Sequence, residues 1–149
     1  GSPTFPVHAR HVDRTYSPGT CVFWDHSYAS KFQDLQFEFA ALLLGRVVSK
    51  PGGNRLCLDL GYKSVSPDNP TIRVELLDLP DVKWLGQWEE HLAIETPVAS
   101  TMSVGALVYG VPYHVCPTVA LHRKAHIVRN GRVDGTWTIA SRDRTMQCE

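Results

Sequence analysis

The sequence predicts an all-β fold: one compact barrel or sandwich domain with short helices at most. Three observations carry this. Apolar and polar residues alternate with period two in several separate stretches, as strands with one buried face require. Pairs and clusters rich in Gly, Asn and Pro stand between those stretches. Nowhere do apolar residues hold helical spacing over three turns. The 149 residues suit a single domain, and the 43% hydrophobic and 20% charged content supplies a real core and argues against disorder.

Taken in order, residues 1–18 contain Pro3, Pro6 and Pro18 and read as an irregular lead-in. The β domain is expected over 19–145, with a tail at 146–149. Cys21-Val22-Phe23-Trp24 is β-branched and aromatic, a strand signal. Residues 26–33 allow at most a short helix. Leu42 to Val48 and the alternating Leu56, Leu58 and Leu60 flank Pro51-Gly52-Gly53-Asn54, which predicts a hairpin. Ile72, Val74 and Leu76 predict another strand, and Val104 to Tyr109 a short one of the buried type. Asn130-Gly131, between His126–Arg129 and Arg132-Val133, is a type I′ turn signal. The strand after it sets Trp137 and Ile139 on one face and Thr136 and Thr138 on the other.

Charge and composition exclude several classes. Lys plus Arg and Asp plus Glu are 15 each, so no global field favours a polyanion. Arg123, Lys124, Arg129 and Arg132 cluster around one hairpin without interleaved aromatics, which reads as a solvated or edge-protecting surface and not a nucleic-acid site. No cationic start precedes an apolar run, and Phe39 to Leu44 is too short to span a bilayer, so no membrane partner is expected. Cys21, Cys57, Cys116 and Cys148 contain no C-x-x-C pair. They read as reduced thiols of a cytoplasmic protein, with three disulfide connectivities left open.

Phosphate-loop, dinucleotide, H-E-x-x-H and G-x-S-x-G motifs are all absent. Lys63 lies in a turn-rich segment with Gly61, Ser66 and Pro67, where a lysine is exposed and charged and not a buried Schiff-base amine. Glu89 and Glu90 are adjacent in an expected strand, so they should point to opposite faces. One constellation carries metal chemistry: His114-Val115-Cys116, with Pro112 and Pro117 on either side. In an extended segment the two side chains share a face, their Cα atoms roughly 6.6 Å apart. An imidazole and a thiolate so placed can converge on one ion, leaving positions for water or substrate.

Pro3-Thr4-Phe5-Pro6, Pro18-Gly19-Thr20 with Trp24-Asp25-x-x-Tyr28, Asp59-x-Gly61-x-Lys63-x-x-Ser66, Glu89-Glu90-His91 and Tyr113-His114-Val115-Cys116-Pro117-Thr118 follow one another along the chain. Together they resemble the carboxy-terminal part of the pyridoxal-phosphate lyases of the D-serine dehydratase and D-threonine aldolase type. The resemblance implies a metal-binding β domain of a two-domain enzyme with an alanine-racemase-like fold. The upstream barrel domain would carry the Schiff-base lysine and most of the pyridoxal phosphate contacts. It implies zinc, or manganese, at His114 and Cys116, with Glu90 and His91 supporting the ion and Ser2 and Thr4 ending a cofactor-phosphate loop. It further implies a homodimer acting on a β-hydroxy D-amino acid: dehydration of D-serine to pyruvate and ammonia, or cleavage of D-threonine to glycine and acetaldehyde. The alternative is a stand-alone β domain that binds a metal or a partner without catalysis. The lyase reading demands roughly 200 or more upstream residues, the size of a barrel.

Overall fold

In the computed structural model, residues 1–143 are described, so Cys148 and the expected tail at 146–149 lie outside the described residues. Strands β1 (Leu43–Gly52), β2 (Arg55–Leu58), β3 (Val74–Leu76), β4 (Lys83–Gln87), β5 (Leu92–Glu95) and β6 (Leu107–Pro112) form one sheet. Its order is β3-β6-β1-β2-β5-β4, and every neighbouring pair is antiparallel. The sheet curls into a half-barrel. One side-chain bond links the two edges: Arg73, just before β3, donates to Gln87 Oε1 on β4 at 2.7 Å, and Gln87 in turn donates to the Leu60 carbonyl, just after β2, at 2.7 Å. Three short helices, α1 (Phe5–His8), α2 (His26–Lys31) and α3 (Val115–Ala120), surround it. The mostly-β architecture is the one the alternation predicts.

β1 shows the causal chain plainly. Leu43, Gly45 and Val47 point inward while Leu44, Arg46 and Val48 face out. Gly45 is required because a Cβ there would lie 2.6 Å from Leu60 Cγ. The predicted hairpin forms, with Gly52 facing Arg55 and both Gly52 and Gly53 at positive φ. Leu56, Leu58, Leu92 and Ile94, cross-strand partners on β2 and β5, are fully buried at the centre of the core.

β7 (Lys124–Arg129) and β8 (Arg132–Thr138) form a separate two-stranded ribbon. Asn130 and Gly131 adopt φ of 50° and 72°, as a type I′ turn requires. Neither face of β8 is covered, so the division between Trp137 and the threonines does not become a division between inside and outside.

Several local expectations are corrected. The lead-in is not wholly irregular, since Phe5–His8 makes one helical turn. Cys21 to Trp24 forms no strand: Thr20–Val22 is a 3-10 turn, closed by Phe23 N–H on the Thr20 carbonyl. Among the described residues no strand pairs with this segment, and the aromatic signal reflects Trp24 packing against Phe37 and Tyr28. Ile72 lies outside β3 and is exposed. The strand expected from Val104 begins at Leu107 and runs to Pro112, with Leu107 and Tyr109 on the outer face. Cys21, Cys57 and Cys116 are free thiols. No helix among the described residues is long and apolar enough to cross a membrane.

Candidate functional site

β6 ends at Pro112, and the chain turns through Tyr113 and His114 into α3. Pro117 is the third helical residue, where a backbone N–H has no intrahelical partner, so its ring is tolerated. The extended geometry expected for His114-x-Cys116 is therefore corrected. His114 is extended (φ −130°, ψ 104°) as the N-cap, but Cys116 belongs to the first helical turn. The helix wins over β-favouring valines because its first N–H finds a remote acceptor.

That acceptor is Asp25. Its Oδ1 accepts from Tyr28 N–H at 2.9 Å and caps α2, while Oδ2 accepts from Val115 N–H at 3.1 Å and caps α3. A single buried carboxyl thus fixes two helix starts, and Ser27 N–H adds a bond to the Tyr113 carbonyl at 3.0 Å. Trp24, just before it, has φ of 55°. A left-handed backbone costs a bulky residue about 1–2 kcal/mol. Burial of the indole, 4.9 Å from Phe37 and 5.6 Å from Tyr28 between ring centroids, offsets that cost.

His114 Nδ1 meets Asp68 Oδ2, and Asp68 Oδ1 accepts from the Ser66 hydroxyl at 2.7 Å. Burial pushes the Asp68 carboxyl up, but the bonds from His114 and Ser66 outweigh it and hold the group below its usual value. Thr118 completes the stitching: its hydroxyl donates to the His114 carbonyl at 2.8 Å and accepts from Ser66 N–H at 3.1 Å. Cys116 is exposed, with Sγ 3.6 Å from Thr20 Oγ1. Beside His114, hydrogen bonding from Ser27, then from Lys31, lowers the Tyr113 phenol.

These donors fit a divalent ion chemically. An imidazole whose Nδ1 is held by a carboxylate leaves Nε2 free, the usual arrangement of a ligating histidine, and a thiol stands two residues on. Among the described residues no three His, Cys, Asp or Glu side chains gather into a group able to hold an ion. His114 and Cys116 would thus be two ligands of a site completed from elsewhere.

The remaining candidates make other contacts. Glu89 and Glu90 lie in the turn between β4 and β5, not in a strand, and both reach Lys63 Nζ, at 2.9 and 2.8 Å. The bend removes the alternation that would have separated them. Their carboxylates raise the Lys63 ammonium well above its ordinary value, opposite to what a Schiff-base amine needs. All three are exposed, so the pairs add little stability. The His91 carbonyl closes the turn by accepting from Trp88 N–H at 2.8 Å. Among the hydrogen bonds of the described residues, none joins Glu90 or His91 to His114 or Cys116. Gly61 is required here, since a Cβ would lie 2.1 Å from the Glu89 carbonyl oxygen. Gly61 and Lys63 accordingly form a clasp between two loops, while the Asp59 carboxylate accepts from Arg46 N–H on β1. Ser2 is buried, its Oγ accepting from Cys21 N–H at 3.0 Å, and the Thr4 hydroxyl donates to the Gly1 carbonyl at 3.3 Å.

Sequence reasoning missed Asp68 and the second bond of Asp25. Asp68 follows Ser66 by two residues, so the segment was visible, but its contact with His114 spans 46 positions.

Fold and loop together define a small antiparallel β domain that presents a carboxylate-paired histidine and an exposed thiol at one end. Residues 40–128 match the family model described as "Putative serine dehydratase domain", and the chain belongs to that family. It is a D-serine dehydratase/D-threonine aldolase-like domain, as the resemblance implied. D-threonine aldolase of Arthrobacter sp is 34% identical over 147 residues, covering 95% of this chain and 38% of that protein. The crystal structure of D-threonine aldolase from Filomicrobium marinum superposes with a TM-score of 0.75 at 27% identity, over 85% of this chain and 34% of that one. An alanine-racemase-like protein of Idiomarina loihiensis shares the fold, with a TM-score of 0.57 at 22% identity over 67% of this chain and 31% of that one. An uncharacterized protein of Mycobacterium bovis is 27% identical over 115 residues, 74% of this chain and 86% of that protein. The chain therefore spans little more than a third of the aldolases it matches, and matches most of the mycobacterial relative.

Proposed function

We propose that this chain is the metal-binding β domain of a pyridoxal-phosphate lyase acting on β-hydroxy D-amino acids. The observation that carries the reading is the Asp68-held His114 beside the exposed Cys116. His114 Nε2 and Cys116 Sγ would hold the ion, and the thiolate suits zinc better than a harder cation. A bound divalent ion supplies Lewis-acid polarisation of the substrate β-hydroxyl, whether that oxygen departs as in D-serine dehydration or is deprotonated as in D-threonine cleavage. Pyridoxal phosphate supplies the electron sink, and an upstream barrel domain would hold it, because Lys63 is engaged as an ammonium by Glu89 and Glu90. This chain's own part is to orient. Asp25 fixes the start of α3, and Asp68 aims the imidazole.

A second reading, a stand-alone domain that binds an ion without catalysis, is favoured by one observation: the match covers 86% of the mycobacterial relative. The full gene product separates the two when given pyridoxal phosphate with zinc or manganese and offered D-serine or D-threonine. Keto acid with ammonia, or glycine with acetaldehyde, is expected, and should be abolished by a chelator and by His114→Ala or Cys116→Ala with the fold retained. Chelator-sensitive turnover that persists in both variants would remove the site assignment. Ion binding at these residues without turnover of either substrate would favour the second reading.

A further inference from the structure

We propose that Asp68 is a positioning residue that fixes the tautomer of His114, keeping the proton on Nδ1 so that Nε2 carries the lone pair presented to the ion. The inference rests on the metal reading above and deepens it. A neutral imidazole has one N–H and one basic nitrogen, and an ionised carboxylate can only accept. The nitrogen facing Asp68 is therefore the protonated one, and coordination is left to Nε2.

The carboxylate is itself held. Its other oxygen accepts from the Ser66 hydroxyl at 2.7 Å, the Ser66 N–H donates to Thr118 Oγ1 at 3.1 Å, and the Thr118 hydroxyl donates to the His114 carbonyl at 2.8 Å. Imidazole, Asp68, Ser66 and Thr118 thus form a ring of hydrogen bonds that returns to the backbone of the histidine it orients. The His114 and Asp68 side chains are both 44% exposed, so the pair adds little to the fold and its consequence is orientation. Carboxylates behind a ligating histidine are typically worth roughly 10- to 100-fold in metal affinity.

The test uses the 149-residue chain labelled with 15N, free of metal, at neutral pH. Long-range 1H–15N correlations should show His114 protonated at Nδ1 in the wild type. In Asp68→Ala the population should move toward Nε2–H, and zinc affinity read by competition with a chromophoric chelator should fall roughly 10- to 100-fold. Circular dichroism should be unchanged. Nε2–H in the wild type would overturn the proposal without recourse to any variant. So would an Asp68→Ala protein with unaltered tautomer and affinity. A tautomer that shifts as expected while the 149-residue chain binds no zinc would support the positioning role; the metal reading would then fail only if the full gene product, which supplies the remaining ligands, also bound none.

Discussion

The curled sheet buries Leu56, Leu58, Leu92 and Ile94 completely, whereas the β7–β8 ribbon leaves every residue of β8 exposed, Val133 and Trp137 included. Both regions have alternating strands and a well-formed turn. What separates them is a shared core: β2 is paired on both sides, by β1 and β5, and the curled sheet packs its inner face on itself, while among the described residues β7 and β8 pair only with each other and contribute nothing to that core. A lone two-stranded ribbon gains little from its own pairing in water. Stability should accordingly reside in the sheet and at the end where Asp25 joins two helices, and scarcely at all in the ribbon.

Three substitutions would break or sharpen that contrast. Leu58→Ala should cost about 2–5 kcal/mol by denaturant unfolding, because a fully buried side chain leaves a cavity; a loss below about 1 kcal/mol would mean that the sheet interior collapses readily. Asp25→Ala should cost roughly 1–3 kcal/mol, since it deprives Tyr28 N–H and Val115 N–H of their acceptor. It should also weaken zinc binding at His114 and Cys116 while leaving β-sheet circular dichroism intact; unchanged affinity would show that the loop needs no cap. Trp137→Ser should change stability by no more than about 0.5 kcal/mol. A markedly lower unfolding midpoint in that variant would place the ribbon among the packed elements.

Legibility followed sequence separation. The Asn130-Gly131 turn and the hairpin around Gly52-Gly53 are local events, written in residues whose backbone preferences set them directly. His114 and Cys116 were visible as a pair for the same reason. The helix that carries Cys116 was not, because Val115, Pro117 and Val119 argue against it locally and the carboxyl that stabilises it lies 90 residues away. Cys21 to Trp24 failed in the opposite sense. Its residues favour a strand, but only a tertiary partner makes one, and the chain there instead turns to bury an indole. Burial was the least legible property: nothing local distinguishes Val133, on the ribbon, from Val74, in the core.

The reach of Asp25 bears on how the molecule can be divided and in what order it assembles. The family match covers residues 40–128, which include all six strands of the sheet and α3. A piece trimmed to those bounds would keep His114, Cys116 and Asp68 and lose the carboxyl that holds the Val115 N–H. Closing a loop of that length is also an entropic cost met only after nearer pairings have formed. The β1–β2 and β4–β5 hairpins can form first, the longer-range β2–β5, β1–β6 and β3–β6 pairings then complete the sheet, and the His-x-Cys loop takes its final shape when Asp25 meets Val115.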